Sequence, residues 1–105
     1  MAWVYLLIAS VVEIMMAIAL KYAHGWTRLV PSVIGIAAAA ASVLFLTLAM
    51  RNLPAGTAYA IWTGTGTVGV AILGIFLFQD ALSPLRLLCI TLIISGTIGL
   101  RVLDA

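Results

Sequence analysis

Four long apolar stretches follow one another along the chain, and short polar stretches separate them. The apolar stretches cover approximately residues 2–20, 31–50, 57–78 and 85–101. A helix of about 20 residues crosses the ~30 Å hydrocarbon core of a bilayer, so each stretch predicts a transmembrane helix. The pattern therefore predicts an all-α integral membrane protein in which residues 1–105 form a single four-helix transmembrane domain.

The polar stretches between the spans contain the charges and the helix-breaking residues. Lys21 and Arg28 follow the first span, and Arg51 follows the second. Lys and Arg avoid the hydrocarbon core and collect at its edges. Ser83 and Pro84 predict the N-cap and first residue of the fourth helix, because serine caps helices well and proline suits the first position.

Composition excludes a water-soluble globule. Of the 105 residues, 66% are hydrophobic and 8% are charged, against roughly 45–50% and 25% in soluble domains. The chain starts without a basic segment, so we expect the first span to be retained rather than cleaved as a signal peptide. Cys89 is the single cysteine, which excludes an intrachain disulfide. We expect no enzyme activity, no cofactor, no metal site and no nucleic-acid partner.

Charge is distributed almost evenly between the two ends of the predicted bundle. Lys21, Arg28 and Arg86 fall on one side, and Arg51, Arg101 and the N-terminal amine fall on the other. Because an excess of Lys and Arg marks the cytoplasmic side, this balance gives little orientation signal. One interpretation is a weakly specified single topology. The other is insertion in both orientations, with two inverted copies forming an antiparallel (dual-topology) dimer.

Glu13 lies inside the first span, in "VVEIMMAIALKY", with no basic residue at comparable depth in any span. An intramembrane carboxylate is costly and marks a functional site by default. Without an internal ion pair, Glu13 is expected to bind a proton or an external cation. The alternative is a carboxylic acid that is simply hydrogen-bonded to a neighbouring helix.

The third span supplies two aromatic residues that would suit a cation. Tyr59 and Trp62 are three residues apart and share a helical face, and aromatic ring faces attract cations. The alternative is an interfacial aromatic belt. In the second span, Ser42 is the hydroxyl near mid-depth. A lone serine usually bonds to its own helix, so this position alone does not assign a site.

Small residues in the third and fourth spans suggest close helix packing. "GTGTVG" matches GxGxxG, but no strand precedes it, which argues against nucleotide binding. Its glycines are instead expected to allow close packing and a bend in the third helix: Gly64, Gly66 and Gly69. Small residues in the fourth span suit helix association, either within one chain or in a dimer: Ser95, Gly96 and Gly99.

Together these motifs resemble the small multidrug resistance family of bacterial transporters over essentially the whole chain, closest to its guanidinium-exporter branch. The resemblance depends on "VVEIMMAIALKY", "HGWTRLVPS", "LPAGTAYAIWTGTGTVG" and "GTIGLRVL". It implies an antiparallel homodimer, multi-pass in the bacterial inner membrane. It also implies that protons and a small organic cation compete for Glu13, with Tyr59 and Trp62 walling the site and Ser42 orienting the acid.

Two positions depart from that branch. Met16 stands where the branch usually has tryptophan, and Ser10 stands where it usually has glycine. The resemblance implies proton-coupled export of guanidinium-type cations, including alkyl-substituted ones. Met16 and Ser10 are the positions where selectivity is expected to differ. The alternatives are a polyspecific exporter of quaternary ammonium and other hydrophobic cations, and a non-transporting accessory subunit or half of an obligate heterodimer.

Overall fold

A computed structural model describes residues 1–104. The chain forms α1 (Ala2–Tyr22), α2 (Leu29–Ala49), α3 (Ala55–Leu77) and α4 (Pro84–Leu103). Each helix is long and apolar enough to cross a membrane, so the predicted all-α fold with four spanning helices is confirmed.

Proline chemistry explains where two of the helices begin. Pro31 lies inside the first turn of α2, which begins at Leu29. The first amides of a helix have no intrahelical acceptor, so a proline costs little there. At the start of α4, the Ser83 hydroxyl oxygen accepts the Arg86 amide at 3.2 Å, and Pro84 is the first helical residue. The predicted cap is thus confirmed.

The first loop, residues 23–28, reverses the chain through three consecutive left-handed residues. The φ angles of His24, Gly25 and Trp26 are 49°, 68° and 72°. A side chain on Cβ makes this conformation costly, and Gly25 adopts it without that penalty. The amides of Thr27 and Arg28 close the turn by donating to the Ala23 carbonyl.

The helices are packed unequally. α1 contacts α2 along most of its length and contacts α3 less extensively, whereas α4 packs mainly against α3. The arrangement is a slab of 40 × 34 × 16 Å, too thin for four helices to enclose a polar centre. The buried apolar core lies among α1, α2 and α3 and comprises Leu6, Ala9, Leu46, Ala49, Ala58 and Ile61.

The C-terminal end of α4 makes two further contacts with the core helices. The Thr57 hydroxyl of α3 donates to Asp104 Oδ2 at 2.6 Å. The Arg101 guanidinium lies 4.1 Å from the centre of the Trp3 ring of α1, a cation–π distance. α4 has no buried residue, so these two side-chain contacts attach its end to the rest of the protein.

Candidate functional site

The carboxylate of Glu13 lies against the backbone of Gly66. Glu13 is near the middle of α1, and Gly66 is a buried position of α3. A Cβ atom built on Gly66 would overlap the Glu13 carboxylate, including both of its oxygens. The missing side chain at Gly66 therefore provides the space in which the acid is held.

One oxygen of this carboxylate has no partner. Oε2 of Glu13 is buried and makes no hydrogen bond with any residue in the range 1–104. Buried polar atoms nearly always have a hydrogen-bond partner, and an unpaired one costs free energy. Oε2 is thus a buried acceptor that no donor within residues 1–104 satisfies.

A hydrogen-bonded chain of three groups joins the three core helices beside the acid. The Trp62 indole Nε1 donates to Ser42 Oγ at 2.8 Å, and Ser42 Oγ donates to the Ala9 carbonyl at 2.7 Å. Ser42 therefore bonds to α1 and not to its own helix, unlike the usual lone serine. The Ala9 carbonyl is one turn before Glu13, so the chain braces the helical turn that presents the acid.

This hydrogen-bonded chain occupies the polar groups of both Trp62 and Ser42. Both the indole N–H and the hydroxyl are used within the chain, so neither is hydrogen-bonded to the Glu13 carboxylate. Trp62 can instead offer the face of its ring. The ring of Tyr59 is 5.4 Å from that of Trp62 at an angle of 60°, and Tyr59 is 54% exposed. The two rings thus pack against each other on α3, and that of Tyr59 is open to the outside.

The two unusual positions of α1 have different surroundings. Ser10 is buried, and its hydroxyl donates to the Leu6 carbonyl at 2.9 Å. Its polar atom is thus satisfied within α1. Met16 is half-buried and lies one turn after Glu13, on the same side of α1. Both positions are three residues from Glu13, and of the two only Met16 is partly exposed.

Gly64 and Gly69 of α3 lie against two different helices. A Cβ on Gly69 would overlap the side chain of Ile14 in α1, and one on Gly64 would overlap the Thr97 hydroxyl in α4. α3 is helical throughout, and the bend expected at these glycines stays a prediction. Their observed role is to let α1 and α4 approach α3 closely.

The small residues of α4 lie away from the Glu13 site. Ser95, Gly96 and Gly99 are all exposed. The Ser95 hydroxyl donates to the Thr91 carbonyl of its own helix at 2.8 Å, and a Cβ on either glycine would meet nothing within 4 Å. Their surface is open to another helix.

Sequence reasoning missed two features of the site. It assigned Gly66 to close helix packing and a bend, and did not identify it as the position against which the Glu13 carboxylate lies. It also did not identify the Ala9 carbonyl as the acceptor for Ser42. A 3.6-residue pattern places Gly66 on the face of Trp62, but which glycine meets Glu13 depends on the register between α1 and α3.

Comparison with known proteins gives one consistent result. The family model "Small Multidrug Resistance protein" matches residues 1–93. A guanidinium exporter from Citrobacter freundii is 56% identical over 101 residues, covering 96% of each chain. A guanidinium exporter from Yersinia pestis is 55% identical, covering 96% of this chain and 97% of its own. With these matches over a fold of four spanning helices, the chain belongs to the small multidrug resistance family of membrane transporters.

Proposed function

We propose that this protein is a proton-coupled antiporter that exports guanidinium and alkyl-substituted guanidinium ions. The observation that carries the proposal is the Glu13 carboxylate, which lies mid-span with a buried Oε2 that is unpaired among residues 1–104. The names of the relatives from Citrobacter freundii and Yersinia pestis support the choice of substrate.

The chemistry of the site favours a guanidinium ion over a quaternary ammonium ion. A guanidinium is planar and can place two parallel N–H groups on one carboxylate. A tetraalkylammonium has no N–H group and would leave the Glu13 carboxylate without a hydrogen-bond donor. The ring faces of Tyr59 and Trp62 add a surface on which a flat cation can stack.

Coupling to protons follows from the use of one carboxylate for two ligands. A proton and a guanidinium ion both neutralise Glu13, and they exclude one another. Release of the cation on one side must then be followed by binding of a proton to Glu13. This holds provided that the site does not switch its access to the other side of the membrane while Glu13 is empty and charged. The braced turn at Ala9 keeps the acid in place during this exchange.

We further propose that the working unit is an antiparallel homodimer in the bacterial inner membrane, in which two copies of Glu13 face one site. Two features support this. The slab is 16 Å thick, so a second copy is needed to close the open side of the site. Basic residues are also divided almost evenly between the two ends of the chain, which favours insertion in both orientations.

Electrophysiology on reconstituted protein tests the proposal. Wild type and Glu13→Gln would be compared on a solid-supported membrane with guanidinium, an alkylguanidine and a tetraalkylammonium. We expect proton-dependent currents with the two guanidinium ions from wild type, little current with the tetraalkylammonium, and none from Glu13→Gln. A reversed substrate order would indicate a quaternary ammonium exporter. Absence of transport by the wild type alone would indicate an accessory subunit or half of a heterodimer.

Met16→Trp tests selectivity in the same assay. Tryptophan adds a rigid flat wall and an indole N–H donor where methionine offers a flexible thioether. We expect the ratio of guanidinium to alkylguanidine currents to rise in this variant. An unchanged ratio would show that Met16 does not tune the substrate range.

A further inference from the structure

A cavity lies at the end of the molecule that contains the first loop. It has a volume of about 450 Å³ and is lined by Leu20, Lys21, Tyr22, His24, Gly25 and Phe78. Lys21 is eight residues beyond Glu13 in α1, roughly 12 Å along the helix. This cavity is therefore separate from the Glu13 site, and it lies where the spanning helices end, at the level of the lipid headgroups.

The polar groups of this cavity are hydrogen-bond donors. Lys21 contributes an ammonium group, whose Nζ lies 5.7 Å from the centre of the Phe78 ring, and His24 contributes an exposed imidazole. In the left-handed turn, the amides of Gly25 and Trp26 donate to no backbone carbonyl within residues 1–104. Successive free amides in such turns form concavities that bind anions.

Two features of this end of the protein would repel an anion: the carbonyls at the end of α1 and the carboxylate of Asp80. The carbonyls at the end of α1 carry partial negative charge, but the Ala23 amide donates to those of Ala19 and Leu20, and the His24 amide donates to that of Lys21. The acid at this end, Asp80, does not line the cavity, because its carboxylate lies against Gly74 of α3.

The remaining wall of the cavity is apolar. Leu20 and the rings of Tyr22 and Phe78 form it, and the two rings are 5.3 Å apart. A ligand that suits this cavity has an anionic group at one end and hydrocarbon at the other. A phospholipid combines both, and basic pockets between membrane helices are known to bind anionic lipid headgroups.

We propose that this cavity binds the phosphate group of an anionic phospholipid, with Lys21 and His24 on the phosphate and the acyl chains along Leu20, Tyr22 and Phe78. The proposal is independent of the transported substrate. It requires only that the chain spans a membrane, because that places the cavity at the headgroup level.

Native mass spectrometry of the purified protein in detergent tests this site. Wild type, Lys21→Gln and Arg28→Gln would be titrated with phosphatidylglycerol. Arg28 is the matched control, since it belongs to the same loop and loses the same charge but does not line the cavity. We expect Lys21→Gln to weaken binding about fivefold, as one Lys contributes ~1 kcal/mol near an anionic surface. We expect Arg28→Gln to change the affinity for the lipid less than about twofold. We expect Lys21→Arg, which keeps the positive charge, to retain the wild-type affinity.

Four results would overturn the proposal. Equal losses of lipid binding in Lys21→Gln and Arg28→Gln would show that the lipid is attracted to the basic end of the molecule in general and not to this cavity. Undiminished lipid binding in Lys21→Gln would show that the lipid does not bind in this cavity. Equal binding of phosphatidylcholine would exclude selectivity for an anionic headgroup. Displacement of the lipid by inorganic phosphate at the same concentration would identify a free anion as the ligand.

Discussion

α3 and α4 are both apolar helices of membrane-spanning length, yet they occupy opposite positions in the fold. α3 lies among three neighbours, and its Gly66 and Trp62 are used at the candidate site. α4 packs mainly against one helix, α3, and buries none of its residues. Hydropathy places both in a membrane, and it does not determine which of them forms the centre of the protein.

The difference comes from where small and polar groups find partners. Gly64, Gly66 and Gly69 of α3 each face a side chain of another helix, whereas Gly96 and Gly99 of α4 face open space. In a bilayer, apolar surface alone does not drive helices together, because lipid is equally apolar. Close backbone approach and interhelical hydrogen bonds therefore decide which helices form the core.

The largest effect is expected from Gly66→Ala. The added Cβ would overlap the Glu13 carboxylate, and overpacking of this kind costs about 1–3 kcal/mol. Displacement of the acid should lower the initial rate of guanidinium export from liposomes by roughly tenfold or more. The matched control is Gly56→Ala in the same helix, where a Cβ meets nothing within 4 Å. Equal rates in the two variants would refute a positioning role for Gly66.

An intermediate effect is expected from Ser42→Ala. The change leaves the Trp62 indole N–H without its acceptor, and an unsatisfied buried group costs about 1–3 kcal/mol. The free energy of unfolding in mixed detergent micelles should fall by that amount. Ser95→Ala is the α4 counterpart, because its hydroxyl is exposed and bonded within its own helix. If Ser95→Ala were as destabilising as Ser42→Ala, the distinction between core and periphery would fail.

The smallest effect is expected from Thr57→Val. It removes the hydrogen bond to Asp104 that helps to attach the end of α4, and such a bond contributes about 0.5–1.5 kcal/mol. Amide hydrogen exchange should become several-fold faster in the last turn of α4 and stay unchanged in α2. Thr91→Val removes a hydroxyl that bonds only within α4 and serves as control. Equal acceleration in both variants would contradict the attachment of α4 through Thr57.

Much of the fold could be predicted because each span is defined by local sequence. Apolar runs of about 20 residues and edge charges predicted the four helices, and the Ser83–Pro84 pair predicted the cap of α4. The acid at Glu13 could also be singled out from sequence, since an isolated carboxylate in an apolar run is conspicuous. Its role in transport stays a prediction for the reconstitution experiment.

The partners of the site residues could not be predicted in the same way. Hydrogen bonds from Trp62 to Ser42 and from Ser42 to Ala9 connect positions 20 and 33 residues apart in the chain. Such contacts depend on the register and rotation of one helix against another, and side-chain periodicity fixes neither. For the same reason, the sequence could not show that the Trp62 N–H bonds to Ser42.

The amino-acid sequence by itself determined that this protein spans a membrane four times and carries one unpaired acid in its first span, because both properties depend on the chemistry of consecutive residues. Only the tertiary structure decided that Gly66 holds this acid, that Ser42 braces the turn beneath it, and that α4 stays at the periphery. Those features depend on how closely separate helices approach, which is set where their small residues and hydrogen-bonding groups meet.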